Sequence, residues 1–256
     1  MRLDRLQRSF RTRVAQLIAP SELEPNTLPY YPQQASCQIP QLHFLLSRFL
    51  GERDNGTYVE VGAYDGIFVS NTWGLAERGW RGVMAEPVPR LAAECRRNHA
   101  QHPSVTVVET AIGSADQHEV VLHLAGTLTT ANPDAFKAYQ SIEWATHVLT
   151  DDTVVVPCQT LDRLLTEQSV SQGFDVLVVD VEGFEAQVFA GFDLNAWRPR
   201  MLIVELAETH PDLSSNAASD ARLGRDISDA GYVVAFKDHI NTVFIRDDVW
   251  VDAFAA

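Results

Sequence analysis

The chain has 256 residues, is 46% hydrophobic and carries a formal net charge of −14. That is enough chain for one large core, and its acidic balance speaks against nucleic acid, which calls for a basic face. Cys37, Cys95 and Cys158 stand far apart and outside any CxxC or Cys/His pair, which speaks against a disulfide framework or a structural zinc site and suggests a cytoplasmic chain.

Residues 2–19 set Leu3, Leu6, Phe10, Val14, Leu17 and Ile18 at helical spacing among arginines. This predicts an amphipathic helix for packing on the main domain or on a second copy in a homo-oligomer. It lacks the uninterrupted apolar stretch and cleavage site of a signal peptide. Prolines then recur through 20–40, so residues 1–39 are expected to be this helix and a Pro-rich linker, and 40–256 the main domain. No apolar run approaches the ~20 residues of a membrane span.

From residue 41 the pattern alternates. A short helix at 41–52 leads into strands at 57–61, 82–85 and 105–108, with helices at 71–78 and 89–99 between them. Segments 120–124 and 153–157 read as two strands paired at an edge, with a helical piece at 133–147. A helix at 161–168, opened by Thr160, precedes the apolar strands 175–179 and 201–204. A helix at 217–230 and a hairpin of 232–236 with 242–245 close the chain. Strands alternating with helices predict an α/β fold, with a doubly wound, mostly parallel sheet and a C-terminal antiparallel hairpin.

In such a sheet, ligands sit beyond the carboxyl ends of the strands. The strands deliver Gly62-Ala63-Tyr64-Asp65-Gly66, Glu86-Pro87, Glu109-Thr110-Ala111, Asp180-Val181-Glu182-Gly183 and Glu205 to that edge. The first loop spaces its glycines G-x-x-x-G, so the dinucleotide pattern G-x-G-x-x-G fails, and no Walker lysine follows. Glu60 and Asp65 suit a cationic amino group better than a phosphate, and S-adenosylmethionine carries an ammonium and a sulfonium. Glu86, 20 residues after Gly66, ends the second strand where a carboxylate accepts ribose hydroxyls.

The strings Val59-Glu60-Val61-Gly62-Ala63-Tyr64-Asp65-Gly66, Ser70-Asn71-Thr72, Gly79-Trp80-Arg81-Gly82, Glu86-Pro87, Ala111-Ile112-Gly113, Thr160-Leu161-Asp162 and Asp180-Val181-Glu182-Gly183-Phe184-Glu185 resemble the FkbM family of S-adenosylmethionine-dependent methyltransferases. The resemblance spans about 55–210, and residues 1–40 have no counterpart in it. It implies the class I methyltransferase (Rossmann-like) fold and O-methylation of sugar, polysaccharide or natural-product hydroxyls. It also implies that Glu60, Gly62, Ala63 and Gly66 cradle the methionine part, that Glu86 takes the ribose, and that Thr110 and Ala111 flank the adenine. Asp65, Ser70, Pro87 and Asp180 complete the expected cofactor set.

For the transfer itself, Asp180, Glu182, His210 and His239 are the catalytic candidates, to take the hydroxyl proton. Asp180, Glu182 and Glu205 could instead hold Mg2+. Glu185 is expected on a solvated helix face, Trp73, Trp80 and Trp144 in the core, and 127–132 as a loop closed by an Asn-Pro helix start. The acceptor is expected to be a small molecule or saccharide, neutral or cationic. Two other readings stay open: an NAD-linked oxidoreductase, and a non-catalytic interaction module on a methyltransferase scaffold.

Overall fold

The computed structural model describes residues 37–255. The expected amphipathic helix, and the homo-oligomer contact assigned to it, lie outside the described residues. Among the described residues no helix is long and apolar enough to cross a membrane.

In the main sheet, β1 (Thr57–Val61) is flanked by β2 (Arg81–Ala85) and then β3 (Val105–Val108) on one side. On its other side the main sheet runs through β7 (Val176–Val179) and β8 (Met201–Glu205), then β10 (Asn241–Arg246), to β9 (Tyr232–Lys237). The pairs from β3 to β8 are parallel, whereas β10 is antiparallel to both β8 and β9. All residues of β7 and β8 are buried, as continuous apolar runs in a sheet covered on both faces require. The hairpin turns on Asp238, whose Oδ1 accepts the N–H groups of Ile240 and Asn241.

Alternation along the strands feeds two cores. Val59, Val83, Leu177, Val179, Leu202 and Val204 face α5 (Leu161–Glu167) and α8 (Ala217–Asp229). Tyr58, Met84, Val176, Val178, Met201 and Ile203 face α1 (Leu42–Leu50), α2 (Trp73–Glu77) and α9 (Asp247–Ala255). Thr160 caps α5 by accepting the Arg163 N–H at 3.2 Å, as its place in the sequence suggests. Ile39, just before the expected boundary at 40, is fully buried in the second core.

One expectation about strand placement is corrected. Segments β5 (Glu119–His123) and β6 (Thr153–Gln159) do pair antiparallel, but they do not extend the main sheet. With β4 (Ala111–Ile112), parallel to β6, they form a separate three-stranded sheet. Val120, Leu122, Val156 and Cys158 of this sheet pack on Leu91 of α3 (Pro89–Asn98) and on Phe184. The long excursion between β5 and β6 carries α4 (Pro133–Tyr139), and its Thr130 and Asn132 side chains bond the backbone just past β7.

The chain runs outward from β1 to β3 and then returns to β7 on the other side of β1, so the topological switch point lies between β1 and β7. Leu177 sits at this centre with no exposure. Leu177→Ala is expected to lower unfolding stability by about 2–5 kcal/mol, with an unchanged denaturant slope in urea melts. Val155→Ala, at a side chain 60% exposed, should stay within about 0.5 kcal/mol of the parent.

Candidate active site

The loop after β1 is forced into shape by crowding. Gly62 has φ +91°, and a Cβ there would lie 1.7 Å from the Asp180 carbonyl oxygen, so the two central strand ends approach too closely for any side chain. Tyr64 follows with φ +52°. Its N–H donates to Glu86 Oε2 at 2.9 Å, while Val88 N–H donates to Glu86 Oε1 at 2.8 Å. Glu60, buried, accepts from Thr72 Oγ1 at 2.7 Å. Ser70 Oγ accepts the N–H groups of Thr72 and Trp73 and so starts α2. Asn71 ties in the chain before α1: its Oδ1 accepts Ile39 N–H and its Nδ2 donates to Gln38.

The loop after β7 is equally constrained. Glu182 has φ +57° and Gly183 φ +87°. A non-glycine residue held there costs energy, and such strain collects at functional sites. Several side chains hold this turn. Thr130 Oγ1 donates to the Glu182 carbonyl at 2.7 Å, and Asn132 Nδ2 to the Gly183 carbonyl at 2.8 Å. Tyr139 Oη donates to the Glu182 carboxylate at 3.3 Å. Glu185 Oε1 accepts from Val181 N–H at 3.0 Å and Gly183 N–H at 3.3 Å. Glu185 is therefore not the solvated helix residue expected from sequence: it is buried at the start of α6 (Glu185–Ala190) and braces the turn before it. Asn132 does open α4, accepting the N–H groups of Asp134 and Ala135.

Between these loops lies a cavity of about 310 Å3. Of the expected residues, Glu60, Gly62, Ala63, Ser70, Glu86 and Pro87 line it from the β1 and β2 side. Thr110, Ala111, Asp180, Glu182 and Glu205 line it from the others. Carboxylate oxygens of Asp180, Glu182 and Glu205 come within 4.8 Å of one another, and Glu182 N–H donates to Glu205 at 3.2 Å. Two expected cofactor residues stand outside the lining. Asp65 Oδ1 is engaged by the N–H groups of Ile67 and Phe68. Gly66 makes room for Cys95 and His99, each 2.7 Å from where its Cβ would be. His210 and His239, expected to face the cleft, do not line it either. His210 Nδ1 accepts the N–H groups of Asp212 and Leu213, and His239 is exposed beside Thr209.

Sequence reasoning missed Gln38, Phe68 and Trp144 in the lining. Trp144 departs from its expected core role, with 48% exposure, whereas Trp80 is fully buried as expected. The apolar pair Phe68-Val69 within a glycine and polar loop is the signal that could have been read.

Burial and mutual repulsion set the protonation of the floor. Desolvation, with Asp180 nearby, pushes the Glu60 carboxyl up to about 8. Burial takes Glu86 to about 7 against the N–H donors that favour its charge. Glu182 and Glu205 rise well above the carboxylate range through burial and the neighbouring charges, and burial raises Asp180 too. Among the described residues, no lysine, arginine or histidine lines the cavity to relieve this.

A family model described as the methyltransferase FkbM domain matches residues 60–234. The chain belongs to the FkbM methyltransferase family. None of the curated proteins matches it in sequence. Its FkbM domain is similar to the crystal structure of monomeric WbdD, with 13% identity over 79% of this chain and 38% of that one, at a TM-score of 0.42. It is similar to the METTL16 MTase domain, with 12% identity over 80% and 66% of the two chains, at 0.46. A TehB-like methyltransferase from Corynebacterium glutamicum shares 8% identity over 75% and 80%, at 0.36. The chain thus spans about two fifths of the WbdD chain.

Membership of the FkbM methyltransferase family implies S-adenosylmethionine as the cofactor, and the cavity residues fit that group. A ligand bearing an ammonium and a sulfonium answers a floor of carboxylates that no side-chain cation of the lining neutralises. Glu86 accepts one N–H on each oxygen and keeps lone pairs for hydroxyl donors.

The raised carboxyls imply a pH dependence. Below about 4.5 the carboxyls are protonated in both folded and unfolded chains. As pH rises, the unfolded chain ionises first, so the folded state holds more protons and stability falls until pH passes the folded values of about 7 and 8. The ligand-free protein is therefore expected to melt at lower temperature at pH 8 than at pH 5.5. Glu86→Gln should flatten that slope, and an equal slope in parent and variant would contradict the assignment.

Proposed function

We propose that this methyltransferase O-methylates a hydroxyl of a sugar, polysaccharide or natural product, with Asp180 as the base. The observation that supports this reading is the convergence of Asp180, Glu182 and Glu205 within 4.8 Å, in the same cavity as Glu86 and Gly62. When bound, S-adenosylmethionine supplies a methyl group activated by its sulfonium. Glu60, Gly62, Ala63 and Ser70 would hold its methionine part, Glu86 its ribose, and Thr110, Ala111 and Pro87 the adenine side.

Three carboxyls this close cannot all ionise at neutral pH, because each charge raises the next group's pKa. The cluster therefore shares protons, and the carboxylate it retains is a stronger base than a solvated one, as a general base for a hydroxyl requires. Asp180, just past the central strand β7, takes the acceptor proton as oxygen attacks. Glu182, fixed by its strained turn and Tyr139, and Glu205, buried behind it, hold the remaining charge and protons in place. Neutral or cationic acceptors suit an acidic cavity, and polyanions such as nucleic acid do not. The three cysteines are free thiols, which suits a cytoplasmic enzyme.

The same trio supports a second reading, in which it holds Mg2+ and the ion lowers the hydroxyl pKa. Transfer of labelled methyl from S-adenosylmethionine to a panel of hydroxylated acceptors tests both. Asp180→Asn is expected to lower turnover by about 10²-fold or more while cofactor affinity changes less than about tenfold. Activity that survives chelation supports the base reading, and activity restored only by Mg2+ supports the metal reading. Cofactor binding without any transfer would favour a non-catalytic module.

A further inference from the structure

The floor of the cavity is acidic, but its mouth is aromatic and apolar. Phe68, Val69 and Trp144 all line the cavity, yet remain 56%, 41% and 48% exposed. They come from two separate parts of the fold. Phe68 and Val69 lie in the loop after β1, and Trp144 lies between α4 and β6. Large apolar side chains kept in solvent at one opening mark a binding surface rather than a core.

Both walls are held in position. Asp65 Oδ1 accepts the Phe68 N–H at 2.7 Å, and Val69 keeps φ +49°, a conformation that β-branched residues rarely adopt. The Phe68 ring sits 6.3 Å from the Tyr64 ring, tilted by 55°. Trp144 Nε1 donates to Asp212 Oδ2 at 3.1 Å, which ties the indole to the segment after β8. A rim fixed in this way loses little freedom when a ligand covers it.

We propose that Phe68, Val69 and Trp144 form the acceptor platform, and that the acceptor is a neutral hydroxylated compound with an aryl or similarly planar apolar group beside the hydroxyl. This deepens the methyltransferase reading and rests on it. The apolar group stacks on the rim while the hydroxyl reaches Asp180 on the floor. A phosphorylated or nucleotide-linked acceptor is disfavoured, because among the described residues the lining holds no cation to meet its charge. Continuity of the rim with the acidic floor favours a small acceptor over a docked protein.

Calorimetric titration of the protein saturated with S-adenosylhomocysteine tests this, with a nitrophenyl glucoside, a methyl glucoside and a glucose phosphate as probes. The aryl glucoside is expected to bind at least about tenfold tighter than the methyl glucoside, with the phosphate weakest. Trp144→Ala should erase that preference while S-adenosylhomocysteine affinity stays within about threefold, and Trp144→Phe should keep most of it. Asp212→Ala, which frees the indole without touching the lining, should reduce it by about threefold. Equal binding of the probes, tighter binding of the phosphate, no binding of any probe, or a preference that survives Trp144→Ala would overturn the proposal. Failure of S-adenosylhomocysteine itself to bind would remove the methyltransferase reading, and the proposal with it.

Discussion

The carboxyl ends of the central strands crowd Glu60, Glu86, Asp180, Glu182 and Glu205 around one cavity, whose described lining holds no lysine, arginine or histidine. Removing carboxylates from water without a partner is costly, and a protein either protonates them or supplies hydrogen bonds. Both responses are visible. Glu60 and Glu86 are raised toward neutrality, and each also accepts hydrogen bonds from the loop after β1 or the residues beside it. A cationic ligand would favour the ionised forms of these carboxyls.

The topology makes this crowding unavoidable. Chain reversal between β1 and β7 brings Gly62 and Asp180 side by side, so closely that a side chain at 62 would collide with the β7 backbone. The strained turn at Glu182–Gly183 is then braced from two directions, by Glu185 of α6 and by Thr130, Asn132 and Tyr139 of the excursion between β5 and β6. The second sheet therefore does more than cover the first: it delivers the residues that aim the acidic turn. Its excursion also supplies Trp144, so the part of the chain that positions the floor also shapes the mouth.

Much of this was legible in the sequence where the cause is local. Continuous apolar runs marked β7 and β8, and the glycine and acidic strand ends at Gly62, Glu86 and Asp180 marked the cavity, because strand ends project their next residues into the crevice. What depended on the conformation of a tight turn, or on partners far along the chain, was not legible. Nothing near Glu185 announces that it folds back onto Val181 and Gly183, and Asp65 looks like a ligand residue until its oxygen is seen capping its own turn. The two-residue strand β4 is too short to show a period, so the separate sheet was read as an edge pair. His210 and His239 follow the right strands, yet one is spent on backbone N–H groups and the other sits in solvent. Gln38, read as linker, reaches the cavity through Asn71, more than thirty positions away.

On the proposed reading, uncompensated carboxyls at the switch point select a cationic cofactor, and proton linkage measures that selection most directly. S-adenosylmethionine should be titrated into the protein at pH 6 and pH 8, in buffers of different ionisation enthalpy. A cation that favours the ionised carboxyls must release protons and bind more tightly as pH rises. Net proton release with stronger binding at pH 8 is the expected result. Binding that takes up protons, is independent of pH, or is absent at millimolar cofactor would contradict the account.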